Sequence, residues 1–296
     1  IVYAISLLNN ICFNAVLIFG LFGFPAMGIK GAAIATLTSR ILEALIVLWY
    51  AYVRNKTVRI RIRDLYKIDR VLFKDYLVYS MPVVLNELMW GLGSSANTAV
   101  ICHLGSAAVA ANSVAQVARQ LATVVVFGVA HATAIYLGKT IGERRMEEAK
   151  AYAKRFLWLS MILGFIGGLL ILVSAPIANS ALALTEEAKS FIMFMRFVMS
   201  YFTFAQAING TLVIGVFRSG GDTKFGLVMD VSTMWGFSIL LGAIAAFYFH
   251  ASVFVVYFLL MSDELVKVPL TIKRYVSYKW LKDVTRDMEG IEGSGT

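Results

Sequence analysis

Acidic side chains set inside long apolar runs are the residues of this chain best suited to chemistry. Glu87 stands in Leu85-Asn86-Glu87-Leu88-Met89-Trp90, and Asp230 in Val228-Met229-Asp230-Val231. Asp263 and Glu264 adjoin in Met261-Ser262-Asp263-Glu264-Leu265-Val266-Lys267. A carboxyl in such surroundings can exchange a proton or hold a cation, and an ionisable group at membrane depth is a functional candidate by default. Lys267 follows Glu264 by three residues and so shares its helix face. Glu264 is then either half of a structural ion pair or an exchange site. Asp230 either caps polar groups near a helix end or takes part in exchange. Glu87 has no charged neighbour at helical spacing, and poor solvation of its carboxyl suits proton exchange. It leads the candidates for holding the cation or proton, followed by Glu264 and then Asp230.

Asn86, Trp90, Arg119, Gln120, Gln206 and Asn209 are the candidates for lining a cavity. Arg119 is expected to meet Glu87 or Glu264, and both Arg119 and Arg196 read best as structural. Amides such as Asn97 and Asn112 serve equally to bind helices together. His131, between Ala130 and Ala132, reads as locally satisfied. Met193, Met195, Met199, Tyr201, Phe202 and Phe204 suit an adaptable apolar pocket, a plain core or a lipid-facing surface. There is no phosphate-binding glycine loop, no histidine pair at metal spacing and no nucleophile–base set. The expectation is therefore no enzyme, no resident metal and no cofactor.

The elements that must position these residues are helices in a bilayer. The chain is 59% hydrophobic with mean hydropathy +0.75, which leaves little to face water. A spanning helix needs about 20 mostly apolar residues. Eight runs meet that need, near Val2–Gly23, Lys30–Val53, Leu77–Cys102, Ser106–Leu137, Ala153–Ala175, Phe191–Phe217, Phe225–Phe249 and Ser252–Ile272. The fold class expected is all-α and integral to the membrane.

A net charge of +9 could suggest nucleic acid, but its distribution excludes that partner. Basic residues crowd 54–74, 139–155 and 273–286, while the alternate connections hold little beyond Lys30 and Lys189. That is the positive-inside pattern. It predicts a multi-pass protein of the cytoplasmic membrane with both ends of this chain in the cytoplasm and lipid as its surroundings. Cys12 and Cys102 lie inside apolar runs and read as small core residues. Gly142–Lys154, where Glu143, Glu147 and Glu148 alternate with basic residues, reads as a second surface helix.

The chain opens on Ile1, already inside an apolar run, and an N-terminal portion is expected to be missing. The first two spans echo the last two, with Arg40 three residues before Glu43 and Glu264 three before Lys267. Parallel repetition of this kind marks transporters built from two similar bundles. The domains expected are 1–54, the last two helices of a first lobe; 55–75, a cytoplasmic linker with an amphipathic helix; 76–275, a six-helix second lobe; and 276–296, a cytoplasmic tail. Between two apolar runs, Gly215-Val216-Phe217-Arg218-Ser219-Gly220-Gly221-Asp222-Thr223-Lys224 reads as a tight reversal, with Gly220 and Gly221 supplying positive φ.

Four segments resemble the multidrug and toxic compound extrusion (MATE) family. Gly20–Thr36 resembles that family's link between helices five and six. Ser80-Met81-Pro82, with Leu104-Gly105 and Ala110-Ala111-Asn112, is similar to helix seven and the start of helix eight. Gly138-Lys139-Thr140-Ile141-Gly142 resembles the end of helix eight, and Val216–Lys224 the link from helix ten to eleven. The resemblance implies helices five to twelve of such a transporter. It implies export of organic, often cationic, compounds by alternating access, in exchange for inward H⁺ or Na⁺, with the first lobe's absent helices as partner. Such a piece would be inactive alone. Some members carry coupling carboxylates in helices seven and ten; here the tenth-helix equivalent, Phe191–Phe217, has no acid. A flippase for lipid-linked sugars of similar fold and a non-transporting structural membrane protein are the alternatives.

Overall fold

The computed structural model describes residues 2–54, 70–174 and 186–282, and within them it is a set of long helices with no strand. Leucine, isoleucine, valine, alanine and phenylalanine dominate these segments. In lipid a helix is the one open-ended structure that satisfies every backbone group internally. The helices are α1 (Val2–Phe19), α2 (Ile29–Trp49), α3 (Arg70–His103), α4 (Ser106–Gly142), α5 (Met146–Val173), α6 (Glu186–Gly210), α7 (Thr223–Tyr248), α8 (Val253–Leu260) and α9 (Asp263–Val276). Wider turns of backbone extend α2 over Tyr50–Arg54 and α6 over Thr211–Phe217. Inside α7 similar turns occupy Met234–Ile239 and Ile244–Tyr248.

Among the described residues, six helices are long and apolar enough to cross a membrane, against eight expected runs. The two that differ do so for separate reasons. α3 is long, but Asn86, Glu87, Ser94, Ser95, Asn97 and Thr98 make it too polar. The last run is broken at Met261-Ser262 into α8 and α9, each shorter than a bilayer crossing. Gly142–Lys154 is no separate surface helix either. α4 and α5 meet through a three-residue turn at 143–145, where Arg144 takes φ 58°. The linker expected at 55–75 falls largely outside the described residues.

The chain forms two units, Ile1–Phe73 and Lys74–Thr296. In the first, α1 and α2 make a hairpin. Gly31 lies so close to α1 that a Cβ there would come 2.5 Å from the Leu17 carbonyl oxygen. Ser6 donates to Glu43 at 3.1 Å, Asn9 donates to Ser39 at 3.0 Å, and Arg40 pairs with Glu43 at 2.8 Å. Cys12 is exposed on this hairpin, and Cys102 is exposed on α3. Neither is a core residue.

The second unit has an apolar core at each end and a polar layer between. One core gathers Ile101, Ala111, Ala115, Ile192, Met195, Met199, Tyr257 and Leu260. The other gathers Leu137, Ile141, Ala153, Leu212, Val216, Phe217 and Trp280. α5 and α6 approach closely because their contacts are small: a Cβ on Gly164 would come 2.5 Å from the Cβ of Ala207, and one on Gly168 would come 2.8 Å from the carbonyl oxygen of Ser200. The outer faces stay apolar, with Phe165, Ile166, Leu169 and Leu170 exposed on α5, as a lipid-facing helix requires.

The reversal at 218–222 is built as two different glycines. Gly221 takes φ +76°, the left-handed conformation expected for both. Gly220 serves close approach instead: a Cβ there would stand 2.1 Å from the Trp280 carbonyl oxygen. Lys282 N–H donates to the Gly220 carbonyl, and Asp222 receives Arg274 and Lys282.

Candidate functional site

Five helices of the second unit send polar groups into one cavity of about 180 Å³. α3 supplies Asn86, Glu87 and Trp90; α4 supplies Phe127 and His131; α6 supplies Gln206 and Asn209. Arg218 comes from the reversal after α6, Asp230 from α7, and Glu264 and Lys267 from α9. At the centre lies the Lys267 ammonium, its side chain 6% exposed. It stands 2.7 Å from Asp230 Oδ1 and 3.2 Å from Glu264 Oε1, and so joins α7 to α9.

The carboxylates have further donors. Asn86 Nδ2 donates to Asp230 Oδ2 at 2.8 Å, which fixes the amide's orientation and leaves its buried Oδ1 without a donor. Asn209 Nδ2 donates to Glu264 Oε2 at 2.7 Å and to the Glu264 carbonyl at 2.8 Å. Thr271 in turn donates to Asn209 Oδ1 at 2.8 Å. A buried pair of charges keeps its ionised form only when its remaining lone pairs and protons are met in this way.

The break between α8 and α9 is what delivers two acids to this depth. Helix geometry fails at Met261-Ser262, and the carbonyl of Leu259 is answered by the hydroxyls of Ser262 (2.6 Å) and Ser238 (2.9 Å). Asp263 and Glu264 then fall in the first turn of α9, where the positive end of the helix dipole favours carboxylates.

A smaller cavity of about 60 Å³ adjoins the first, and Trp90, Gln206 and Glu264 line both. Arg119 lines it, as do Asp263, Asn97 and Asn112. Arg119 donates to Gln116 at 2.8 Å and Gln206 at 3.2 Å, with Phe202 under its guanidinium. It does not form the expected ion pair with Glu87 or Glu264.

Glu87 differs most from expectation. Its side chain is 58% exposed and pairs with Arg218 at 2.6 Å. The isolated, poorly solvated acid predicted from local sequence is not there, because its partner lies 131 residues away. Gln120 is exposed on α4 and lines neither cavity. Lys267, His131 and Arg218 line the larger cavity without having been candidates for it. Only Lys267 carried a signal, its three-residue spacing from Glu264.

Residues 82–244 match the MatE family. The probable multidrug resistance protein YoeA of Bacillus subtilis (strain 168) is 25% identical over 248 residues, covering 82% of this chain and 53% of its own length. A probable multidrug resistance protein NorM of Halalkalibacterium halodurans is 26% identical over 235 residues, 78% of this chain and 50% of that protein. The chain thus spans about half the length of these relatives. Among solved structures, an outward-facing multidrug resistance MATE family transporter of the MOP superfamily superposes with TM-score 0.80 at 20% identity. A MOP superfamily transporter from Pyrococcus furiosus does so with TM-score 0.79, also at 20%. Each covers 94% of this chain and 62% of its own, a likeness of fold alone.

Proposed function

The chain belongs to the MatE family, and on that premise we propose that it serves ion-coupled export of organic compounds, with its coupling charge at the Asp230–Lys267–Glu264 cluster. The observation that carries the reading is the buried ammonium of Lys267 shared between carboxylates of two helices inside a cavity. A carboxylate there can be answered by Lys267, by a proton or by a cationic compound, and only one of these at a time satisfies it. Competition for one charge is the physical basis of exchange between two ligands in an alternating-access protein. Relatives named as multidrug resistance proteins support organic compounds as the cargo. Glu87, paired with Arg218 at the cavity's exposed side, serves to hold α3 against the reversal after α6.

A flippase for lipid-linked sugars would need uncommitted cations for a pyrophosphate. In this cavity Lys267 and Arg218 are each answered by a carboxylate, which favours a cationic cargo. The test is equilibrium binding of ethidium, a planar organic cation, to the 296-residue chain in nanodiscs across pH 5 to 8. Affinity is expected to fall as protons compete at low pH. Glu264→Gln is expected to weaken binding about tenfold, roughly 1.4 kcal/mol, and to flatten the pH response. Binding that ignores both pH and the substitution would remove this cluster from the mechanism.

A further inference from the structure

The position of Lys267 bears on which ion the site can take. Its ammonium lies between Asp230 Oδ1 at 2.7 Å and Glu264 Oε1 at 3.2 Å. Asn86 Oδ1, buried and without a donor, lines the same cavity. Carboxylate oxygens from two helices around a compact point charge, with an unanswered amide oxygen in the same cavity, are what a monovalent metal cation would seek, and a lysine already fills the position. We propose that Lys267 is a tethered replacement for a metal cation, so that this site is closed to Na⁺ and the charge it exchanges is a proton.

The local charge count agrees. Asp230 from α7 and Asp263 and Glu264 from α9 contribute three negative charges. Lys267 from α9 and Arg119 from α4, which acts electrostatically on Asp263 and Glu264, contribute two positive ones. Glu87 of α3 and Arg218 after α6 line the same cavity but answer each other at 2.6 Å and so cancel in the count; the remaining polar neighbours there are Asn86, Gln206, Asn209 and His131, and Tyr201 and Tyr257 lie nearby. Three carboxylates against two cations in a poorly solvated layer leave one negative charge unanswered, and such a charge is strongly disfavoured. One proton on a carboxylate oxygen closes the difference while Lys267 stays an ammonium. A proton needs no added volume, whereas Na⁺ would have to displace the ammonium.

This inference rests on the coupling role proposed for the cluster, but its test does not use transport or dye binding. The melting midpoint of the 296-residue protein in detergent is measured in sodium, potassium and choline chloride at equal ionic strength. The unsubstituted protein is expected to melt at one temperature in all three. Lys267→Met opens the cation position and is expected to melt lower in potassium and choline, with sodium restoring about 5 °C by mass action. Should Lys267→Met not fold, Lys267→Met with Glu264→Gln removes one charge of each sign and keeps Asp230 beside the vacated position. That variant is expected to show the same sodium response at higher sodium concentration. A sodium-specific rise in the unsubstituted protein overturns the proposal, as does its absence from both variants. Ethidium binding insensitive to pH would instead count against the coupling role and leave the sodium result to be judged separately.

Discussion

Asp222 shows how one side chain in a reversal can hold distant chain together. Its carboxylate is 3% exposed and receives Arg274 through two nitrogens, at 2.7 and 3.0 Å, and Lys282 at 2.7 Å. Burial alone would push the carboxyl up, but the hydrogen bonds and charges of Arg274 and Lys282 outweigh it and hold Asp222 below its ordinary value of 3.8. A carboxyl depressed in the folded state contributes stability above the unfolded value, and loses it as pH falls through the folded one. Asp222→Asn is therefore expected to be less stable by about 2 kcal/mol near neutral pH. The gap between the thermal melts of the two proteins should begin to narrow below roughly pH 4 and close as pH falls through the lower folded value, and a gap independent of pH would contradict the account. The sequence made such carboxylates visible by type but not by partner. Glu264 with Lys267 was legible because three residues of helix bring them to one face. Asp230 with Lys267 and Glu87 with Arg218 were not, since no local spacing connects residues on different helices. For Glu87 the consequence was an inverted environment, a paired and exposed acid where an isolated buried one was expected.

Helices were legible wherever hydropathy was high, and were misjudged where the site itself altered the pattern. α3 is more polar than a lipid-facing span because it carries Asn86, Glu87 and Asn97, and α8–α9 is interrupted to deliver Asp263 and Glu264. The wide turns follow the same logic. One begins directly after Asn209-Gly210 and another four residues beyond Asp230. Widened helix turns of this kind are frequent at functional positions, and no residue type announces them. Helix contacts were easier to read. Gly168 packs against the backbone of Ser200, whereas a Cβ on Gly128 of α4 would meet nothing within 4 Å. Gly168→Ala should lower stability by about 1–3 kcal/mol, since the carbonyl of a neighbouring helix cannot step aside. Gly128→Ala should be neutral or stabilising by up to about 1 kcal/mol through helix propensity. Equal effects of the two substitutions in thermal melts would reject close packing of α5 on α6.

At the scale of the molecule, the fold belongs to the outer apolar faces and the candidate site to the polar layer between two apolar cores. Composition announced the first plainly. The second needed the structure, because the layer draws one to three residues from each of five helices. Orientation in the membrane follows from charge: Lys139, Arg144, Arg145 and Lys150 gather at the α4–α5 turn, while the α7–α8 turn at 249–252 has no charged residue but a histidine. We expect the first turn to be cytoplasmic and the second external. With Cys12 and Cys102 replaced by serine, a cysteine at Ser252 should react with an impermeant maleimide from outside intact cells, and one at Glu143 should not. The reverse labelling would invert the topology. The clasp on the 218–222 reversal has a consequence for biosynthesis. Gly220 rests on the backbone of Trp280, and Asp222 depends on Arg274 and Lys282. During translation the turn between α6 and α7 thus leaves the ribosome 52 residues before Arg274 and 60 before Lys282. Until Lys282 emerges, a buried-to-be carboxylate must wait with its set of partners incomplete. The end of the bundle that carries this reversal therefore sets only after its helices have been made, and a nascent chain halted before that residue would hold its helices inserted and their junction open.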